Sequence, residues 1–264
     1  MKLTASIKYF IITLMILPLF LMIGWSFASS WSYPNLLPET FSLNGYEYAL
    51  SGTTDTFQIL LSSIFLSVIV TLLTLIISIP AARAMAFYEF KGKKLVSILV
   101  ILPLIVPMMS VAMGVHLTFI KLGLANSIIG VILIHIIPGI PYGVRILTNV
   151  FSIYGEKIEQ QGKVLGGNSW QVLRYVTLPI IAPALIVSGT LIYVISFTQY
   201  FITFLIGGGR VQTYAMLLFP FVESGDRTTA SVLSIIFVLS IIFVLWLTEK
   251  LVGSYYEKSN EYYM

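Results

Sequence analysis

Apolar residues in this chain come in long unbroken runs, and that pattern constrains the fold more than any other feature. The runs show neither the alternation of a half-buried strand nor the narrow stripe of a surface helix. A helix needs about 20 apolar residues to cross a bilayer. Six stretches meet that length, at roughly 9–27, 57–82, 95–120, 126–147, 180–206 and 229–249. Lipid offers no hydrogen-bond partner to an open backbone, so such runs cross as helices. The composition agrees: of 264 residues 58% are hydrophobic and only 10% charged, too few charges to cover a soluble surface. The sequence therefore predicts an all-α, polytopic membrane helical bundle of six transmembrane helices. It forms one transmembrane domain over residues 1–264, with little chain left for a separate soluble domain.

Two of the runs are irregular. Pro103 and Pro107 must kink the third, which membrane helices tolerate. The first resembles a secretory signal, with Lys2 and Lys8 ahead of it and small residues at 26–30. Its apolar stretch from Tyr9 to Phe27 exceeds the roughly 7–15 residues of a signal core. It is read as an uncleaved helix.

Lys and Arg concentrate in cytoplasmic loops and so set the orientation. With the N-terminus inside, the inner set is Lys2, Lys8, Arg83, Lys91, Lys93, Lys94, Arg145, Lys157, Lys163, Arg174, Lys250 and Lys258; Lys121, Arg210 and Arg227 lie outside. Twelve against three places both termini in the cytoplasm. The basic residues sit in short loops rather than on one soluble face, which argues against nucleic acid. The outer loop 28–56 holds Trp31, Tyr33, Pro34, Pro38, Glu39, Glu47 and Asp55 and no basic residue. The outer loop 207–228 holds Gly207–Gly209, Arg210, Glu223, Asp226 and Arg227. Trp25, Trp31 and Tyr33 fit an interfacial aromatic belt; docking of a partner is a second use for the same loop.

What the spans lack excludes whole classes of function. Buried ionisable residues mark proton relays and ion-coupled sites. Here no Asp or Glu falls inside a predicted span, and Arg83, Glu89 and Glu249 sit at or near ends. His135 is the one deep ionisable group, and its two uses are a packing hydrogen bond near Pro138 or a ligand contact. Zero cysteines rule out disulfides, thiolate metal sites and a cysteine nucleophile. Ser110 near His116 is the nearest approach to a Ser–His dyad, but serines in apolar helices usually bond back to their own helix. No catalytic residue and no metal site is expected. There is no G-x-x-x-x-G-K-[ST] phosphate loop, since Gly207–Gly209 lacks the Lys-Ser/Thr ending. Energy for transport would have to come from another chain.

A handle for such a chain lies in the connector at about 148–179, longer than two antiparallel helices need. Glu156 and Glu159 open a short helix, where the macrodipole favours acids. Gly166–Gly167 stop it with a positive-φ residue. Asn168 or Ser169 caps a second helix, on which Trp170, Val172, Leu173 and Val176 form an apolar face. Leu178–Pro179 opens the fifth span. The segment reads either as an amphipathic surface connector or as a knob for a groove on a partner.

The connector resembles the EAA loop of binding-protein-dependent ABC importer permeases, Glu-Ala-Ala, three residues, Gly, nine residues, Ile-x-Leu-Pro. Gly166 matches the glycine, and Val176-Thr177-Leu178-Pro179 matches the ending after nine residues. Gln160, Gln161 and Gly162 stand at the Glu-Ala-Ala positions, with Glu159 one residue before. The stretches 207–213 and 225–227 look similar to permeases of the spermidine/putrescine type; related branches carry iron, thiamine or phosphonate. The resemblance implies a type I importer fold and a non-catalytic transport subunit of the bacterial inner membrane. This chain would bind no cofactor; ATP and Mg would be held by partner ABC ATPase subunits. A second permease, a paralogue or an identical chain, an extracytoplasmic solute-binding protein and the lipid bilayer complete the expected partners. Residues Glu159, Gln160, Gly162, Gly166, Gly167, Trp170, Leu178 and Pro179 would serve ATPase coupling, with Trp170 and Leu173 anchoring the knob to the permease body. Ser196, Thr198, Gln199 and Tyr200, with Thr203, are a polar cluster for either the solute pathway or interhelical bonding. A secondary transporter or channel working without an ATPase is the alternative, and a membrane scaffold a third.

Overall fold

The computed structural model describes residues 2–30, 38, 40–51 and 55–261. Trp31, Tyr33, Pro34 and Glu39 of the first outer loop lie outside the described residues. The elements in chain order are α1 (Lys2–Ser26), β1 (Ala28–Ser30), β2 (Thr40–Phe41), α2 (Asn44–Leu50), α3 (Thr56–Phe87), α4 (Lys93–Ile105), α5 (Met108–Lys121) and α6 (Ile128–Tyr154). Then follow α7 (Lys157–Val164), α8 (Ser169–Val172), a π-helical turn (Leu173–Thr177), α9 (Leu178–Phe197), α10 (Phe201–Gly207), α11 (Tyr214–Ser224) and α12 (Arg227–Glu261). Among the described residues four helical runs are long and apolar enough to cross a membrane: Thr56–Phe87, Ile128–Tyr154, Ser169–Phe197 and Arg227–Lys250.

The third predicted run differs from expectation. It is two helices, α4 and α5, bent by 105° at Val106 and Pro107, the geometry of a broken span or a re-entrant loop, so the described residues hold four spans, or five if this pair is one, against the six expected. Proline has no N–H and pushes its predecessor out of the helical region, and Val106 is extended, with ψ 119. At 1.5 Å per residue each half measures about 20 Å, short of the roughly 30 Å core. The fifth run also stops early, at Phe197, and resumes as the short α10. The connector is shorter than read, because α6 continues to Tyr154. The second outer loop contains a helix, α11.

The chain divides into two compact units. One comprises residues 62–212 and 243–264, and its centre is α3, α6 and α9. Gly139 and Gly143 lie one turn apart on α6. A Cβ at Gly139 would meet Ile192 at 3.0 Å and Thr74 at 3.2 Å. One at Gly143 would stand 2.4 Å from the Ser78 hydroxyl. Lipid gives helices no hydrophobic reason to associate, so contact comes from small residues that let backbones approach. α3 supplies the complement: Ser63, Ser67, Thr74 and Ser78 are buried along it. Around them Val131, Ile134, Ile202 and Ile206 are fully buried, whereas Phe65, Ile76, Leu95 and Ile98 are exposed, as lipid-facing side chains are.

The other unit comprises residues 1–61 and 213–242. Its β1 and β2 pair antiparallel, Ala28 opposite Phe41. The hydroxyls of Ser26 and Tyr46 lie 2.9 Å apart. Thr228 Oγ1 donates to the Ala28 carbonyl at 2.7 Å, and Tyr214 Oη to that of Leu233 at 3.0 Å. Gly45 lies against Val232 on α12, where a Cβ would approach to 2.9 Å.

Candidate functional site

The connector after α6 is built as its sequence dictates. Gly155 ends α6, and α7 runs for 8 residues. Gly166 has φ +90, a conformation that L side chains rarely adopt, and it reverses the chain. Asn168 then caps α8: its Oδ1 accepts from the Gln171 N–H at 2.9 Å, while Gln171 Oε1 accepts from the Asn168 N–H at 2.8 Å. This reciprocal capping box satisfies two orphan donors. From Ser169 the helix runs on without interruption to Phe197, 29 residues in all. Within it the Leu178 N–H reaches back five residues to the Leu173 carbonyl. Pro179 explains the wide turn, since it cannot donate to Tyr175 and its ring would clash with that carbonyl.

The packing of α7 on this helix depends on two glycines. Gly162 faces Val172, where a Cβ would stand 3.2 Å from a methyl. A Cβ at Gly167 would meet the Gly162 carbonyl oxygen at 2.8 Å. Val172 is the buried anchor, with 4% of its surface exposed. Trp170 is not the anchor that the sequence suggested: it is 65% exposed, beside Tyr175 at 67%, Val164 at 86% and Leu165 at 88%. Leu173 is half-buried, and Gln160 is exposed. Leu178 and Pro179 are half-buried at the start of α9.

Glu159 turns inward. Its Oε2 accepts from Arg83 Nε at 2.9 Å and Nη2 at 2.6 Å, and its Oε1 accepts from Thr177 Oγ1 at 2.9 Å. The side chain of Glu159 is 10% exposed and that of Arg83 30%. One carboxylate thus joins α3, α7 and the approach to α9. Arg83 also lies over the rings of Phe87 and Tyr88, at 5.5 and 5.9 Å. The first-turn position of Glu159 was legible in the sequence; its partner, 76 residues away, was not.

The polar cluster of the fifth run divides. His135 on α6 lies 3.0 Å from Ser196 through Nδ1 and 2.8 Å from Thr203 through Nε2. Thr203 Oγ1 donates to the Gln199 carbonyl at 3.0 Å. With the ring proton assigned to Nε2, the imidazole accepts from Ser196 and donates to Thr203. His135, Ser196 and Thr203 thus tie α6 across the break between α9 and α10. Thr198 is exposed and bonds back to the Val194 carbonyl at 2.8 Å. Gln199 and Tyr200 are half-buried at the break, and Tyr200 stacks on Phe204.

Residues 74–253, which include α6 and the whole connector, match the family model for binding-protein-dependent transport system inner membrane components. The chain belongs to this family. Among relatives of this permease is a protein of Salmonella paratyphi A provisionally named as a 2-aminoethylphosphonate transport system permease, 24% identical over 89% of this chain and 88% of its own length. The spermidine/putrescine permease PotC of Haemophilus influenzae is 23% identical, over 78% and 80% of the two chains. The trehalose/maltose permease MalG of Thermococcus litoralis is 30% identical, over 69% and 67%. A solved bacterial ABC transporter that imports alginate shares the fold, with a TM-score of 0.74 at 18% identity over 94% of this chain and 95% of that one. The family places the permease in the inner membrane as a transport component, in agreement with the reading of the connector.

Proposed function

We propose that this permease forms half of the solute path of an ABC importer and takes its power stroke through residues 155–177. The observation that carries this reading is the uninterrupted helix Ser169–Phe197. Its first turn projects beyond the apolar span and stands beside an exposed apolar face of Val164, Leu165, Trp170 and Tyr175. Such a face needs a groove to cover it, which is helix-in-groove recognition. A push on α8 then moves α9 as one body.

The rest of the assembly follows from that role. Cytoplasmic ABC ATPase subunits hold ATP and Mg, and a second permease completes the path. A solute-binding protein delivers from outside; the alginate transporter was crystallised in complex with its periplasmic protein, which supports this partner. The excess of Lys and Arg on one set of loops supports cytoplasmic termini. The chain acts as one permease domain that performs no chemistry and holds no cofactor of its own. Its solute is a small polar one: relatives named for phosphonate, polyamine and sugar transport span that range. Thr198, Gln199 and Tyr200, at the break after α9, are the polar groups we assign to face it, while Ser196 bonds to His135.

A gentle-detergent pull-down of the tagged chain from its own membranes tests the reading. A P-loop ATPase is expected to come along and to be lost when 156–173 is altered. A chain that purifies alone, yet exchanges solute in liposomes, refutes it in favour of a secondary carrier or channel.

A further inference from the structure

We infer that Glu159 is a positioning residue that carries displacement of the connector to α3 through Arg83, and that it makes no contact with the partner ATPase. The inference rests on the coupling role proposed above and adds a second route to it.

Three observations support it. First, Glu159 is committed inside the protein. Two donors from Arg83 and one from Thr177 occupy both carboxylate oxygens at 2.6–2.9 Å, and 10% of the side chain is exposed. Charge-assisted bonds of this length are the strong ones, and they fill three of the carboxylate's roughly four acceptor sites, leaving one on a largely buried oxygen. Second, the exposed charges of the connector are all cationic: Lys157, Lys163 and Arg174 stand among exposed apolar Val164, Leu165, Trp170 and Tyr175 and neutral Gln160, Gln161 and Gln171. Its complement is an apolar groove with an acidic rim. Third, the two membrane helices are tied to the connector differently. α9 is continuous with α8. α3 has no covalent link to the connector nearby; the Arg83 pair, which bridges 76 residues of sequence, ties it to α7 directly, beside the packing of Phe87 on Phe151 of α6. Moving α7 must carry Arg83 with it or break this ion pair, and breaking it leaves the carboxylate, 10% exposed, without its counter-charge. The stroke therefore reaches two spans, one by helix continuity and one by this pair.

The difference gives a selective test. The chain has no cysteine, so single cysteines placed by Ile76→Cys on α3 and Val187→Cys on α9 label uniquely with bimane. Both positions are exposed, at 63% and 53%. In the assembled transporter, trapping with ATP and vanadate is expected to change fluorescence at both. With Arg83→Gln the change at 76 should fall roughly fivefold or more, the low end of an ordinary coupling between sites. The change at 187 should persist. Arg83→Lys, which keeps the charge, should lie between, and the swapped pair Arg83→Glu with Glu159→Arg should restore the response at 76. Glu159→Gln should still co-purify the ATPase. An unaltered response at 76 in Arg83→Gln overturns the inference, as does loss of the ATPase from Glu159→Gln. Arg83→Gln that fails to assemble leaves the decision to Arg83→Lys, and a full response there counts against the pair. A wild-type chain that recovers no ATPase refutes the coupling reading instead, and that outcome is scored before any variant is made.

Discussion

Replacing Gly166 by valine isolates the backbone strain of the connector from its packing. Gly166 sits at φ +90, and no atom lies within 4 Å of where a Cβ would be. A side chain there meets open space, so its cost is conformational alone. A non-glycine residue held in such a region costs about 1–3 kcal/mol, with β-branched residues at the upper end because this backbone is a genuine outlier for them. At about 1.4 kcal/mol per factor of ten, the closed turn loses roughly 5- to 150-fold in population. Asparagine tolerates positive φ, so Gly166→Asn should lose least. The assay is limited proteolysis of the membrane-embedded protein, read as cleavage within residues 155–168. Where opening is fast relative to cleavage, that rate follows the population of the open form. Gly166→Val should be cut fastest, Gly166→Asn less so and wild type slowest, with ATPase co-purification falling in the same order. Wild-type cleavage in Gly166→Val would refute the argument, as would Asn proving worse than Val, because strain would then not be what the glycine relieves.

Two further outcomes are expected. Gly143→Val should lower the thermal midpoint of the detergent-solubilised protein, by about 1–3 kcal/mol of overpacking, since its Cβ would meet Ser78 Oγ at 2.4 Å; Ser78→Gly in the same chain should recover part of the loss. His135→Ala should destabilise by roughly 1–3 kcal/mol, the worth of two interhelical hydrogen bonds plus a small cavity, as measured by denaturant unfolding in detergent; Ser196→Ala, which removes one bond, should cost less.

Much of the connector was legible in the sequence because its signals are local. Gly166 as a helix stop, Asn168 as a cap and Pro179 at the start of α9 each depend on residues within one turn. The long apolar runs likewise announce themselves through hydropathy summed along a segment. What failed were statements that needed a third dimension. Trp170 looked like an anchor because aromatic residues usually bury, yet Val172 takes that place and Trp170 is exposed. The third run looked like one kinked span, yet Val106 and Pro107 bend it by 105°. The Gly139-x-x-x-Gly143 spacing was a signal for the central interface of α3, α6 and α9, and it went unread.

The sequence by itself determined that this chain is a membrane bundle of the permease family, where four of its six apolar runs form long helices, and which segment connects the fourth run to the fifth. Only the tertiary structure decided which faces pack, that His135 spends itself on Ser196 and Thr203, and that Glu159 points inward to Arg83. The physical reason lies in the solvent. In water the buried face of a helix is written in polarity, so a pattern of polar and apolar residues reveals it. In lipid the packed face and the exposed face are both apolar, and the distinction passes to residue size and to a few hydrogen bonds between distant positions. Residue size leaves only a short trace, as at Gly139 and Gly143, and a bond between distant positions leaves none.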